Sequence, residues 1–281
     1  MNGVALSAVL FRDLRMPVAR ERLRAESRRE RAEMILVRAF FVAVALVVIW
    51  QAIVVLFGPP DFILPSPAEV LAALRARPDL LQVDALTTLS ETLIGLVAGT
   101  ALGVGLALAM ALLPPTRRVL LPVMVVSQAL PVFAIAPLLV LWLGFGLAPK
   151  IVMATIAIFF PVASAFHDGL ARTDPGLLDL ARLYGAGRVR QVFLFRVPAA
   201  LPSLVTGLRV AAVYAPIAAL FGEWVGASSG LGYAMLHANG RAETDVVFAA
   251  LLLLAAMSIV VRALVDFLTR NLTPWAPESA A

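Results

Sequence analysis

Cysteine is missing from all 281 residues, so the chain holds no disulfide, no thiolate metal site and no cysteine nucleophile. Lysine occurs once, at Lys150, and histidine only twice, at His167 and His237. A phosphate-binding loop requires glycine directly before its lysine. In GFGLAPK that place is taken by Pro149, and no second lysine exists to build the motif elsewhere, so nucleotide hydrolysis by that route is excluded. Charge is scarce as well, at 15% of residues, against 61% hydrophobic residues and a mean hydropathy of +0.93. That balance lies outside soluble domains and leaves no volume for an aqueous catalytic domain. The net charge of +5 and the pI near 10.6 do not mark a nucleic-acid binder, because the basic residues gather at the ends of hydrophobic runs as orientation signals do. The fold class read from this is an all-α integral membrane protein.

What is there is a series of apolar runs. Residues 1–38 carry nine arginines against five carboxylates, and 19–34 alternate charge as an exposed helix does. The segment is too charged and too long for a signal peptide. It reads as a cytoplasmic arm. The first span is 39–57, broken only by Gln51. Pro59, Pro60, Pro65 and Pro67 then bar a helix until Ser66-Pro67 starts a short amphipathic one at Ala68, expected outside. The second span, 92–113, sets Gly95, Gly99, Gly103, Ala107 and Ala111 at four-residue steps. Such a bare face lets another helix approach, either within one bundle or across a dimer.

The third span, 119–143, holds Pro122, Pro131 and Pro137, each removing a backbone donor, with Gln128 one turn before Pro131 and Trp142 as an interfacial anchor. GFGLAPK reads as a tight turn before a fourth span at 151–166. A fifth at 203–221 carries Arg209, placed to snorkel, and a sixth at 246–261 continues to Leu268. Arg262, Asp266 and Arg270 recur every four residues as an ion-pair ladder. The glycines of 222–245 fit a hinged or re-entrant outer segment. Basic residues weight the arm, the Arg117-Arg118 turn, the 174–202 connector and the C-terminal end, which predicts six spans with both termini inside. The domains are then an arm at 1–38, a six-span region at 39–270 with a cytoplasmic loop at 167–202, and a tail at 271–281.

The connector DPGLLDLARLYGAGRVRQVFLFRVPAALP is the most informative stretch. Asp174-Pro175 starts a helix that puts Leu177, Leu180, Ala181 and Tyr184 on one face, and Gly185 ends it. A second short helix gathers Val189, Val192 and Phe193 before Pro198 stops it. Two apolar-faced helices joined at a glycine make a knob, either for an outside partner or for the chain's own bundle.

The run D-L-A-x-x-x-G, nine residues, F-R-V-P resembles the signature loop of binding-protein-dependent ABC importer permeases, where it reads E-A-A, three residues, G, nine residues, I-x-L-P. Asp179, Ala181, Gly185 and Pro198 hold the spacing. Asp179 replaces glutamate, Leu180 alanine, Phe195 isoleucine and Val197 leucine. LPSPAEVLAAL, APLLVLWLGFG, TGLRVA and GASSGLGY extend the resemblance to permeases for nitrate, sulfonates, taurine and thiamine precursors. The resemblance implies a type I ABC importer permease fold, with Asp179, Leu180, Ala181, Arg182, Tyr184, Gly185, Ala186, Arg188 and Pro198 coupling to a cytoplasmic ATPase dimer. It implies ATP and magnesium on that partner and no cofactor on this chain, which is itself no enzyme. It further implies an extracytoplasmic binding protein and a second permease copy, most simply a homodimer in the bacterial inner membrane.

The stretch from Gly222 onward is similar to permeases for hydroxymethylpyrimidine-type thiamine precursors, with taurine, alkanesulfonate or nitrate as the alternative cargo. Gln128, Phe133, Tyr214 and Glu223, polar or aromatic near proline breaks, are the candidate path residues. An ion-coupled secondary transporter is the alternative of another class, supported by the broken third span. An intramembrane enzyme would draw on Glu91, Glu223, His167 and His237, which sit near span ends and form no spaced pair, and no metal site is expected.

Overall fold

The computed structural model describes residues 16–275, so the first fifteen residues of the arginine-rich arm and the last six of the tail lie outside the described residues. The chain divides after Pro60 into two compact units. The first is built on α1 (Met16–Phe57), one uninterrupted helix into which the described part of the charged arm, from Met16, and the first span both merge. Its apolar stretch Phe40–Phe57 is 18 residues long, roughly 27 Å at 1.5 Å per residue, enough to cross hydrocarbon.

The second unit is all helix, with no strand among the described residues. It begins with α2 (Pro67–Ala76), fixed by a capping box: the Ser66 N–H donates to Glu69 Oε2 at 2.6 Å and the Glu69 N–H donates to Ser66 Oγ at 3.3 Å. Val70 and Ala73 are its buried face, against α11 (Thr244–Thr269). A wide π-helical turn, Leu80–Asp84, leads without a break into α3 (Ala85–Leu112), so the second span starts a full two turns earlier than the glycine pattern suggested.

α4 (Pro114–Ala129) and α5 (Val132–Leu143) take the place of the expected third span, and they meet at 105°. Only Pro131 makes this break. Pro122 and Pro137 stay inside their helices, so two of the three expected interruptions are absorbed. Among the described residues five helices are long and apolar enough to cross a membrane, six if the bent pair counts as one span.

α6 (Leu147–Ala171) is the central rod, with α3 along one side and α9 (Val197–Glu223) along another. In a bilayer apolar burial does not drive helix association, so close packing must. A Cβ on Gly95 would fall 2.4 Å from Ala154 Cβ, one on Gly99 2.7 Å from Ile158 Cβ, and one on Gly103 2.7 Å from the Phe159 carbonyl oxygen. The small-residue stripe therefore serves packing inside the bundle, which settles the choice between bundle and dimer for these positions. On the other side, Gly169 meets Ser203 and Gly207 meets Ala165 and the Pro161 carbonyl. α3 and α6 run parallel, and α9 runs antiparallel to both. Gly99→Val is expected to destabilise the folded chain by roughly 1–3 kcal/mol, read as thermal unfolding in detergent. Gly105→Val on the same helix, where a Cβ meets nothing within 4 Å, should leave the transition unmoved.

Between α6 and α9 the connector folds as α7 (Pro175–Leu183), α8 (Arg188–Gln191) and a π-helical turn Val192–Arg196. α10 (Leu231–Gly240) interrupts the long segment before α11, giving it a helix of its own rather than an open hinge.

Candidate functional site

Asp174 caps α7 by accepting from the Gly176 N–H at 2.8 Å, and Pro175 occupies the first turn, where its missing donor costs nothing. The helix ends in a Schellman motif: Ala186 N–H donates to the Ala181 carbonyl at 2.9 Å, Gly185 N–H to the Arg182 carbonyl at 2.9 Å, and Gly185 adopts φ +74°. The expected glycine stop is thus present.

The faces differ from expectation. Leu178 and Ala181 are the buried anchors, whereas Leu180 is 49% exposed, Leu183 85% and Tyr184 84%. Leu177 is partly exposed too. Leu177, Leu180, Ala181 and Tyr184 are therefore not one packed face. The chain itself covers only a narrow strip of α7, Leu178 and Ala181, and a larger apolar face stays open. Asp179 and Arg182 form an exposed pair at 2.7 Å beside it.

Pro198 does not stop the second helix. Val197 N–H donates to the Val192 carbonyl across the wide turn, Pro198 follows in the first turn of α9, and one helical rod runs Arg188–Glu223. Val192 is buried against Ala107, Ala111, Phe166, Leu170 and Ala200, while Val189 and Phe193 are exposed, so these three are not gathered together. Arg188 lies over the end of α3, its Nε and Nη2 3.4 and 3.3 Å from the Ala111 carbonyl oxygen.

At the other end of the bundle lies a cluster that sequence reading missed. Lys150 is not in a loop: the turn ends at Gly146, Pro149 sits in the first turn of α6, and Lys150 is buried. Its ammonium donates to Glu91 Oε1 at 2.6 Å. This pair continues the packing register of the glycine stripe, one four-residue step before Gly95 and Ala154.

Next to it, Glu223 Oε1 accepts from the Thr88 hydroxyl at 2.6 Å and Oε2 from the Gly232 N–H at 2.5 Å. The Leu231 N–H donates to Thr88 Oγ1 and the Gly230 N–H to Asp84 Oδ1, both at 2.8 Å. The orphan donors at the start of α10 are thus satisfied by side chains of the π-helical turn, α3 and α9, with two carboxylates at the positive end of the helix. Gly230 has φ +118°, and a Cβ there would fall 2.3 Å from the Glu223 carboxyl carbon, so only glycine fits. Glu91 and Glu223 do form a pair in space, contrary to expectation. The pair is sealed by Lys150 and by backbone rather than open to a substrate.

The other candidate path residues scatter. Phe133 stacks near Phe221 at 6.2 Å between ring centroids, and Phe221 meets Trp224 edge-on at 5.6 Å. Gln128 and Tyr214 lie exposed on α4 and α9, and Glu223 is 1% exposed. His167 is buried near the end of α6, with neither ring nitrogen hydrogen-bonded to a described residue, whereas His237 is exposed beside Tyr233. Arg209 does not reach for solvent alone: it binds Asp266 Oδ1 at 2.7 Å, and Arg262 takes Oδ2 at 2.9 Å. Arg270 leaves the expected ladder and lies 5.9 Å over Phe267.

The family model described as the binding-protein-dependent transport system inner membrane component matches residues 99–276. The chain belongs to that family. This permease is 45% identical over 233 residues to a probable ABC transporter permease protein of Haemophilus influenzae, covering 83% of this chain and 95% of the relative. It is 34% identical to the formylaminopyrimidine transport permease protein ThiX of Halalkalibacterium halodurans, covering 82% of this chain and 92% of the relative. The riboflavin transport system permease protein RibX of Chloroflexus aurantiacus is also 34% identical, covering 82% and 87%. Among solved structures, the MetNI methionine ABC transporter matches with a TM-score of 0.59 at 21% identity, over 68% of this chain and 94% of that one. The fold is that of an ABC importer permease, and the permease is a multi-pass transport subunit, not an enzyme.

Proposed function

We propose that the permease forms the translocation path of an ATP-driven importer and that α7 is the coupling helix, seated in a cleft of a cytoplasmic ATPase. One observation carries this: Leu178 and Ala181 are buried within the chain while Leu180, Leu183 and Tyr184 stand open beside the left-handed Gly185. Asp179, Arg182, Ala186 and Arg188 orient the contact, and Pro198 lies where the knob joins the rod of α9. ATP and magnesium bind the ATPase, and this chain holds no cofactor. Two copies of the permease, as a homodimer in the bacterial inner membrane, take solute from an extracytoplasmic binding protein. The Arg117, Arg118, Arg182, Arg188, Arg190 and Arg196 group supports a cytoplasmic knob and cytoplasmic termini. Gln128, Phe133 and Tyr214 are proposed to face the path, and Glu223 to hold its outer end in shape.

The proposed cargo is a thiamine precursor of the hydroxymethylpyrimidine type. The resemblance of the segment from Gly222 onward supports it, and so do two relatives named for flat nitrogen heterocycles. Taurine, an alkanesulfonate or nitrate is the alternative. Lys150, neutralised by Glu91, offers no free cation to a small anion. The test is uptake into proteoliposomes holding the permease, its ATPase and its binding protein. ATP-dependent uptake of a hydroxymethylpyrimidine, with taurine failing to compete, is expected; competition by taurine alone moves the cargo to the sulfonates. Uptake driven by a proton gradient without ATP would contradict the importer assignment.

A further inference from the structure

A pocket of about 290 Å³ opens where the base of the knob meets the end of α3, lined by Ala111, Arg182, Arg188, Gln191, Val192 and Arg196. Half of its lining residues are arginines. Arg182 is paired with Asp179, but no carboxylate among the described residues pairs with Arg188 or Arg196. Among the described residues Arg188 is held only by long contacts to the Ala111 carbonyl, and the Nε–H of Arg196 is enclosed without an acceptor. The Gln191 amide nitrogen donates one of its two hydrogens to the Ala186 carbonyl at 2.7 Å, which fixes that side chain in the wall of the cavity. An enclosed guanidinium N–H without an acceptor calls for an anion to complete it.

The level of the pocket narrows the choice of anion. Ala111 lies in the last turn of an apolar crossing helix, and Arg188 is the first residue of the crossing rod Arg188–Glu223. The pocket therefore sits at the boundary of the apolar layer, where phosphate groups of lipids lie. Its volume is at the lower end of small-molecule sites and suits a headgroup rather than a whole solute. Planar guanidinium groups bind phosphate oxygens in pairs, and basic pockets between membrane helices take anionic headgroups.

We infer that Arg188 and Arg196, with Arg182 at the rim, form a binding site for a phosphate group, supplied by an anionic lipid headgroup or by a free phosphate. Occupancy places a negative charge beneath the knob, fastening α8 to the end of α3. The site does not depend on what the permease transports.

The test uses the full chain purified in detergent, with native mass spectrometry and thermal unfolding as readouts. Phosphatidylglycerol should remain bound through delipidation and raise the unfolding temperature, whereas phosphatidylcholine should do neither. Stabilisation by inorganic phosphate alone would keep the phosphate site and assign it to a free anion. Arg188→Gln with Arg196→Gln should weaken binding by about tenfold or more. Arg196→Lys, which keeps the charge but not the fork, should show an intermediate loss, and it serves if the double variant fails to fold. Equal retention of phosphatidylglycerol by the wild type and both variants would overturn the site. So would indifference of the wild type to every phosphate source, or variants that lose only their association with the ATPase.

Discussion

Lys150→Met is expected to destabilise the permease by about 3–5 kcal/mol, because removing one partner of a buried ion pair strands the other. Both side chains are nearly sealed, 6% and 1% exposed, and the second oxygen of Glu91 has no hydrogen-bond partner to share the charge. Glu223 lies beside it, so the loss of the ammonium leaves neighbouring carboxylates without their cation. Lys150→Met combined with Glu91→Leu should recover most of the loss, since a buried pair replaced by apolar groups of similar size is often neutral or better. Unfolding of the single and double variants in detergent measures both. A double variant as unstable as the single one would mean that Lys150 acts through Glu223 or through backbone geometry.

Leu183→Asp together with Tyr184→Asp is expected to lower ATP-dependent uptake by at least about tenfold while leaving the amount of folded permease unchanged. Both residues are more than four-fifths exposed, so their replacement lies within about 0.5 kcal/mol of neutral for folding. At a docked surface the same pair are large apolar anchors, and truncating such anchors costs about 2 kcal/mol or more in binding. Gly185→Trp should act in the same direction. A Cβ at Gly185 meets nothing within 4 Å, but its φ of +74° disfavours any side chain and the new bulk stands in the docking face.

The helix count and the connector could be read from composition because apolar runs and turn residues act locally. Ser66-Pro67, Asp174-Pro175 and Gly185 each did what cap chemistry requires of them. Proline gave mixed guidance. Pro131 breaks the chain by 105°, but Pro149 and Pro198 fall in first turns where a missing N–H is tolerated, so neither marks a loop or a stop. Misreading Pro149 put Lys150 in a turn and hid the pair with Glu91. The signal was present: Glu91 lies four residues before Gly95, on the same face as the small residues that meet α6. The contact of Glu223 with the start of α10 joins positions 9 residues apart, yet it also needs Thr88, 135 residues away, and no local pattern announces a side chain from another helix. The face of α7 was misjudged for a related reason: periodicity gathers Leu177, Leu180, Ala181 and Tyr184, but which side meets the bundle depends on where α3 and α6 end.

The absence of cysteine makes the most direct measurement simple, since any thiol introduced is the only one in the permease. Tyr184→Cys lies on the open face of α7, and Phe62→Cys lies at the opposite end of the bundle, where the Phe62 carbonyl accepts from Thr244 at the start of α11. Membranes holding each variant with the cognate ATPase are treated with a short thiol-to-amine cross-linker. The expected result is a permease–ATPase adduct from Tyr184→Cys and none from Phe62→Cys. No adduct from Tyr184→Cys, or equal yields from both positions, would contradict the assignment of α7 as the coupling helix.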